Sequence, residues 1–274
     1  MYQGRIGSLV DVIPFLNHSK EELVILADCH MVTSMDYDAL IKKHVDSGAD
    51  VTMVCRHGAV PKLADIPVLT MDASGHVTDL LLGRIADQSA YYSTGVYVMR
   101  KNWLLRTLTE AAARNLYHFE RDILQRRLDE LKIMGYVAPS LVMPIYSTES
   151  YFHANLALLE DEVREQLFPK HRPVYTKLKD CDPVQYGLHA EVTNCLVGDG
   201  AHIDGKVKNS IIFRGVKINR HAELENCVVM QNVTVGDHCK LSSIIVDKNV
   251  VIRNGITLQG SETYPVYIAK NSII

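Results

Sequence analysis

No C-x-x-C pair occurs in this chain, although it holds six cysteines, at positions 29, 55, 181, 195, 227 and 239. That removes the spacing used by zinc ribbons and thioredoxin-like redox centres. In a chain of 274 residues such thiols are expected to stay reduced and mostly packed, as in a cytoplasmic protein. Nor is there an excess of positive charge. The net charge of −3 offers no basic field to nucleic acid or to an anionic membrane. The most apolar stretch near the start, residues 6–16, is interrupted by Asp11 and Pro14 and has no basic segment ahead of it. It is read as neither a signal peptide nor a membrane span. Also missing is the strand and glycine-rich phosphate loop that usually opens a nucleotide-binding α/β domain. The chain starts Met-Tyr-Gln-Gly, and the glycines at 198, 200 and 205 are followed by no Lys-Ser or Lys-Thr. The start is therefore expected to fall inside a domain rather than ahead of it.

What is present is a repeat. Aliphatic residues fall at Ile212, Ile218 and Leu224, at Val229, Val235 and Leu241, and at Val246, Ile252 and Leu258. Within each trio the step is six, and equivalent members of successive trios lie seventeen apart. Small or polar pairs follow them, such as Arg214-Gly215, Gly236-Asp237 and Asn254-Gly255. A period this short cannot hold a pair of helices, but it fits one turn of a coil with three short flat faces. The arithmetic predicts a left-handed parallel β-helix of degenerate hexapeptides, with an earlier, imperfect turn at Val192, Val197, Ile203 and Val207. A β-sandwich would show alternation at period two instead.

Upstream, strands and helices alternate. Residues 22–26 form a short apolar run, as in a strand covered on both faces. Residues 35–47 carry Tyr37, Leu40, Ile41, His44 and Val45 at helical spacing, with Asp36 as cap and Gly48 as stop. Residues 50–55 make the next strand, so this order predicts a right-handed parallel crossover. Further strands are expected at 66–71, 76–81 and 94–99, and helices near 102–114, 119–131 and 150–166. The fold class is therefore α/β, an incomplete nucleotidyltransferase-type (Rossmann-like) mixed sheet over 1–165, a Lys-, Arg- and Pro-rich linker over 166–188, and the β-helix over 189–274.

The markers Y-x-G (Tyr2, Gly4), M-D-Y (Met35-Asp36-Tyr37), S-x-G-x-Y-V (Ser93, Gly95, Tyr97, Val98), F-x-x-D-I (Phe119, Asp122, Ile123) and Y-x-x-A-N-L (Tyr151, Ala154, Asn155, Leu156) precede the coil. In this order they resemble bacterial ADP-glucose pyrophosphorylase, the glucose-1-phosphate adenylyltransferase of glycogen synthesis. The resemblance covers nearly the whole chain and omits the family's first ~100 residues, judged by usual domain size. It implies a reaction of glucose 1-phosphate with ATP that depends on Mg²⁺ held by carboxylates and on Lys or Arg clamps.

Position by position, the resemblance implies that those groups are mostly replaced. The first metal aspartate of the family falls on His30 counting back from Met35-Asp36-Tyr37, or on Cys29 counting forward from Leu26, with Asp28 displaced in either register. The second falls on Pro144, which has no side-chain oxygen. The sugar-phosphate lysine falls at about Gly83, beside Arg84, and the nucleotide-contacting segment corresponds to Gly4-Arg5-Ile6-Gly7-Ser8. Ser93 and Gly95 survive. The pattern resembles the non-catalytic, regulatory D-type (GlgD) subunit of that family, partnered by a catalytic subunit that Mg²⁺ would serve. Weak substrate-binding residues are expected at Gly4, Ser93, Gly95 and Arg84, with no catalytic group and no metal of the chain's own, Asp28 being the one residue open to a cation.

Rival readings stay open beside this one. Asp28, Cys29 and His30 are read either as a transition-metal site or as a loop filling a vacated pocket. His30 is weighed as a general base, although no nucleophile lies beside it in sequence. Arg84 either grips a phosphate or is a surface arginine. His202, His221 and His238 in the coil are either surface corner residues or acyltransfer histidines, and the whole chain is either a regulatory subunit, a weakly active adenylyltransferase or a β-helix acyltransferase. Oligomerisation is expected through the apolar last turn, 268–274, and through open strand edges.

Overall fold

A computed structural model describes residues 4–61, 66–83, 89–176 and 179–274. The chain divides into two compact units, Met1–Val142 and Met143–Ile274. The boundary drawn from sequence at 165 thus falls inside the second unit. Helix 148–157 explains the difference, because its Phe152 is fully buried with Val228 and Ile245 of the coil.

The first unit opens with two short helices, α1 (Arg5–Val10) and α2 (Ile13–His18), from the interrupted apolar stretch. Strands β1 (Leu23–Ala27) and β2 (Met31–Thr33), helix α3 (Tyr37–Ser47) and strand β3 (Val51–Ala59) follow. Asp36 caps α3, its carboxylate accepting from the Ala39 amide at 3.0 Å, and Gly48 closes the helix. These are the cap and stop that the sequence indicated. A hairpin of β4 (Pro67–Met71) and β5 (Val77–Leu82) leads to β6 (Ser89–Arg100). Helix α4 (Lys101–Ala113), a π-helix (Phe119–Gln125) and β7 (Ile133–Val137) complete the unit, and Val142 opens β8 (Val142–Pro144).

The sheet runs β5-β4-β6-β3-β7, with β1 also on β6. Strands β1 and β3 both lie antiparallel to β6, hence parallel to each other, so α3 is a crossover that leaves room for β6 between its two strands. Long and central, β6 is buried on both faces. Tyr97 and Met99 pack with Leu104, Leu108 and Phe119, while Val96 and Val98 pack with Leu40 and Val54. That explains its continuous apolar run.

The second unit begins with α5 (Thr148–Ala157) and α6 (Asp161–Leu167). The single helix expected over 150–166 is thus two helices. The Ser147 hydroxyl accepts from the Ser150 amide to start α5, and the chain leaves helical geometry at Glu160, which precedes α6 in extended conformation.

Parallel strands from β9 (Gln185–Tyr186) to β19 (Val266–Ile268) then stack into the coil. Ile212 pairs with Val229 and Val229 with Val246; Ile218 pairs with Val235 and Leu224 with Leu241. The sequence period is the hydrogen-bond register. All of these residues are buried in one column. The earlier turn is imperfect for a visible reason: Ile203 pairs with Ile218 and Val192 with Val207, fifteen residues on, because the corner at Asp204-Gly205 is two residues short. The buried Asp204 carboxylate fills that corner, accepting from the His189 amide at 2.9 Å and from Arg220 Nε at 3.1 Å. Of the three coil histidines, His221 and His238 sit exposed in corners at positive φ, their rings stacked 4.9 Å apart. His202 lies instead within the short strand His202–Ile203.

Candidate functional site

The site is organised by a bulge in β6. Met53 of β3 faces Tyr97 and Cys55 faces Ser93, so β6 spends two extra residues there, centred on Gly95. Bulges of this kind redirect side chains and are common beside active sites. Gly95 adopts φ +73°, and a Cβ on it would stand 2.2 Å from Asp28 Oδ2. Only glycine lets the bulge and Asp28 come this close. The Gly95 carbonyl accepts from the Asp28 amide at 3.1 Å, and the Gly95 amide donates to Ser93 Oγ at 3.1 Å.

Above the bulge lies a closed chain of polar side chains. Arg5 Nη2 donates to Asp28 Oδ2 at 2.5 Å, and Arg5 Nη1 pairs with Glu120. The Tyr97 hydroxyl donates to Glu120 Oε1 at 3.0 Å, and Ser93 Oγ donates to the Tyr97 oxygen at 3.2 Å. The Arg5 guanidinium lies 5.5 Å from the centre of the Tyr97 ring. His30 stands at the edge, its Nδ1 3.9 Å from Asp28 Oδ2.

Electrostatics hold this chain together. Burial opposes the charge on Arg5, but Tyr97, Glu120 and Asp28 outweigh it and raise its pKa above the ordinary arginine value. Burial, with Glu120 beside it, pushes the Tyr97 hydroxyl pKa far up, so it remains a donor. One cation between two carboxylates leaves the cluster with a net formal charge of −1.

Two backbone features fix the groups. Gly4 has φ +96° and lies so close to the Tyr117 carbonyl that a Cβ would come within 2.4 Å of it. The same carbonyl accepts from the Ile6 amide at 3.1 Å, tying α1 to the segment that leads into the π-helix. Asp122 starts that helix by accepting from the Tyr117 and His118 amides at 3.1 and 3.0 Å. Burial raises the Asp122 pKa, but these two bonds, aided by Arg121, outweigh it and hold the carboxylate below its usual range. The π-helix carries Glu120. Such helices are rare and often mark functional positions.

Of the expected site residues, the structure brings Gly4, Asp28, His30, Ser93 and Gly95 together. Cys29 is exposed in the turn after β1. Gly83 follows β5 with open space where a Cβ would stand. Arg84 and Tyr2 lie outside the described residues. Pro144 closes β8. Sequence reasoning did not single out Arg5, Tyr97 and Glu120 as a network, although all three lie in or beside the quoted markers. Their pairing across three distant segments has no local signal. Among the described residues no three His, Cys, Asp or Glu side chains are grouped to hold a metal ion.

Comparison with known proteins agrees with this architecture. The family model described as GlmU-like, C-terminal hexapeptide matches residues 184–262. The glycogen biosynthesis protein GlgD of Geobacillus stearothermophilus is 31% identical over 223 residues, 80% of this chain and 55% of that protein. GlgD of Bacillus subtilis is 25% identical over 222 residues, 81% of this chain and 55% of the relative. Over about four-fifths of its length the chain is similar to proteins of glycogen biosynthesis. A glucose-1-phosphate adenylyltransferase of Thermotoga neapolitana is 26% identical over 223 residues, 80% of this chain and 53% of the enzyme. The chain thus spans a little over half the length of the curated relatives it matches. No helix among the described residues is long and apolar enough to cross a membrane.

Proposed function

We propose that the chain serves glycogen biosynthesis in the cytoplasm as a regulatory or stimulatory partner of a catalytic ADP-glucose pyrophosphorylase subunit, within a shared oligomer, with no turnover of its own. One observation carries this reading: the acids nearest the expected reaction centre, Asp28 and Glu120, are both committed to the Arg5 guanidinium. Transfer of a nucleotidyl group to a sugar phosphate needs cations aimed at phosphate oxygens. A cluster of net charge −1, with its guanidinium already paired, repels those oxygens instead. Ser93, the surviving sugar-side residue, is buried and occupied by Tyr97 and the Gly95 amide, which leaves it little for a ligand. The GlgD names of two relatives support the regulatory side of the reading. Mg²⁺ and the sugar phosphate belong, on this proposal, to the partner's site.

The test is an assay with ATP, glucose 1-phosphate and Mg²⁺, on the chain alone and mixed with a catalytic subunit. Enhancement only on mixing is expected. Turnover by the chain alone above background would overturn the proposal, and light scattering of the mixture should show a larger particle than either component.

A further inference from the structure

The residues around Asp28 do not fit a divalent ion, and the reason is visible. Mg²⁺ requires carboxylate oxygens free to approach within about 2.1 Å of it. Here the Asp28 and Glu120 carboxylates close on one guanidinium from two sides. The two acids come from segments ninety-two residues apart and meet only at Arg5.

We infer that the Arg5 guanidinium is a built-in counter-ion occupying the place between Asp28 and Glu120 that a divalent cation would take, so that this pocket excludes metal while Arg5 is present and accepts it once Arg5 is removed. The inference deepens the reading of a non-catalytic chain by naming what occupies the pocket.

Three observations support it. First, Arg5 is held at both ends. Gly4 packs on the Tyr117 carbonyl, the Ile6 amide bonds to that same carbonyl, and the side-chain head is paired twice. A surface arginine that met the acids by chance would not have its backbone pinned beside them. Second, all three charged side chains are mostly buried, with exposures of 26% for Arg5, 23% for Asp28 and 14% for Glu120. Two ionised carboxylates so placed repel each other and need a cation or a proton between them. Third, the oxygens left by removing Arg5, from Asp28, Glu120 and the Tyr97 hydroxyl, are hard donors that favour Mg²⁺ or Mn²⁺ over softer metals.

The experiment titrates Mn²⁺ alone into the full chain and reads free ion by electron paramagnetic resonance. Wild type is compared with Arg5→Ala, Arg5→Gln, Arg5→Lys and Arg5→Ala/Asp28→Asn. The alanine and glutamine variants should bind Mn²⁺ at least about tenfold more tightly than wild type, since a guanidinium a few ångströms from a divalent ion repels it by more than thermal energy. Arg5→Lys should stay metal-free, and Asp28→Asn should abolish the gain. Should Arg5→Ala unfold, Arg5→Gln reads the same outcome, because it keeps a polar hydrogen-bonding side chain while losing the charge. Wild-type binding as tight as that of the alanine or glutamine variant, or a gain that survives Asp28→Asn, overturns the inference. The turnover assay is scored separately. A wild-type chain that turns over but stays free of Mn²⁺ sinks the regulatory reading and leaves this inference standing. One that binds Mn²⁺ without turnover does the reverse.

Discussion

In the coil, a core residue's neighbours are its own repeats: Val229 packs between Ile212 and Val246, seventeen residues to either side. In the α/β unit the central strand β6 gathers partners from 23–27, 51–59 and 67–71, and its bulge places Asp28 above Gly95. The coil therefore resembles a one-dimensional stack, in which stability is a sum of turns and their interfaces. The α/β unit is cooperative across distant segments, and its polar network exists only when several of them have arrived. Damage should stay near its origin in coil terms, turn by turn, but spread through the α/β unit.

The largest expected effect tests the stack. Val235 is fully buried in the apolar column. Val235→Asp places an unpaired charge there and should cost about 5 kcal/mol, at the upper end for single substitutions. Hydrogen exchange should rise in the turns on either side, 223–252, while amides of β3 and β6 keep their protection. Equal loss in both units would break the comparison.

Phe152→Ala comes next. The ring is fully buried against Val228 and Ile245, and its removal should cost about 4 kcal/mol. Protection should fall in the strands 223–229 and 240–246. If the amides of β6 lost protection instead, α5 would belong with the first unit, as the sequence-drawn boundary at 165 supposed.

Acid should separate the units by pH. His44 is buried beside the Thr52 hydroxyl at 2.8 Å, and burial, aided by Arg100 and partly offset by Asp50, lowers its pKa. Below the unfolded value of about 6.5 the unfolded chain takes up the proton before the folded one does. That stability is present above pH 6.5 and is lost as pH falls toward the folded pKa. In the coil, Asp204 is held below the ordinary carboxylate range by the His189 amide and side chain and by Arg220, with burial opposing. Its contribution is present above about pH 3.9 and is lost only below that. The single tryptophan, Trp103, lies in α4, so its fluorescence follows the first unit. The urea midpoint by fluorescence should decline between about pH 6.5 and 5, and His44→Gln should flatten the decline.

The same contrast decides what sequence reveals. The coil was legible because the aliphatic spacing that a reader counts is the register that strands later adopt. Where local length changed, counting failed: the corner at Asp204-Gly205 is two residues short, and Val246 pairs with Ile268, twenty-two residues on. In the α/β unit, Asp36 and Gly48 were legible because a cap acts within a few residues of itself. Gly95 was quoted for its family pattern, but its reason, the carboxylate of Asp28 pressed against its Cα, is a tertiary contact. Arg5, Glu120 and Tyr97 were not legible as a group, since nothing in 5, 97 and 120 marks them as neighbours before α1, β6 and the π-helix are packed together.

Two glycines give the finest test. Gly95 and Gly255 have nearly the same φ, +73° and +74°. Alanine at either should cost roughly 1 kcal/mol for the left-handed conformation alone. At Gly255 nothing lies within 4 Å of the added methyl, so the cost should end there. At Gly95 the methyl meets Asp28 Oδ2 and must displace it, disturbing the pair with Arg5, so the total should reach about 2 kcal/mol. The excess is attributed to the contact, because positive φ is common to both. Adding Arg5→Ala separates packing from charge. If Gly95→Ala costs the same with and without Arg5, the methyl acts by bulk alone. If the cost shrinks when Arg5 is absent, the bulge glycine exists to seat the ion pair, and the α/β unit stores in one tertiary contact what the coil distributes over its repeats.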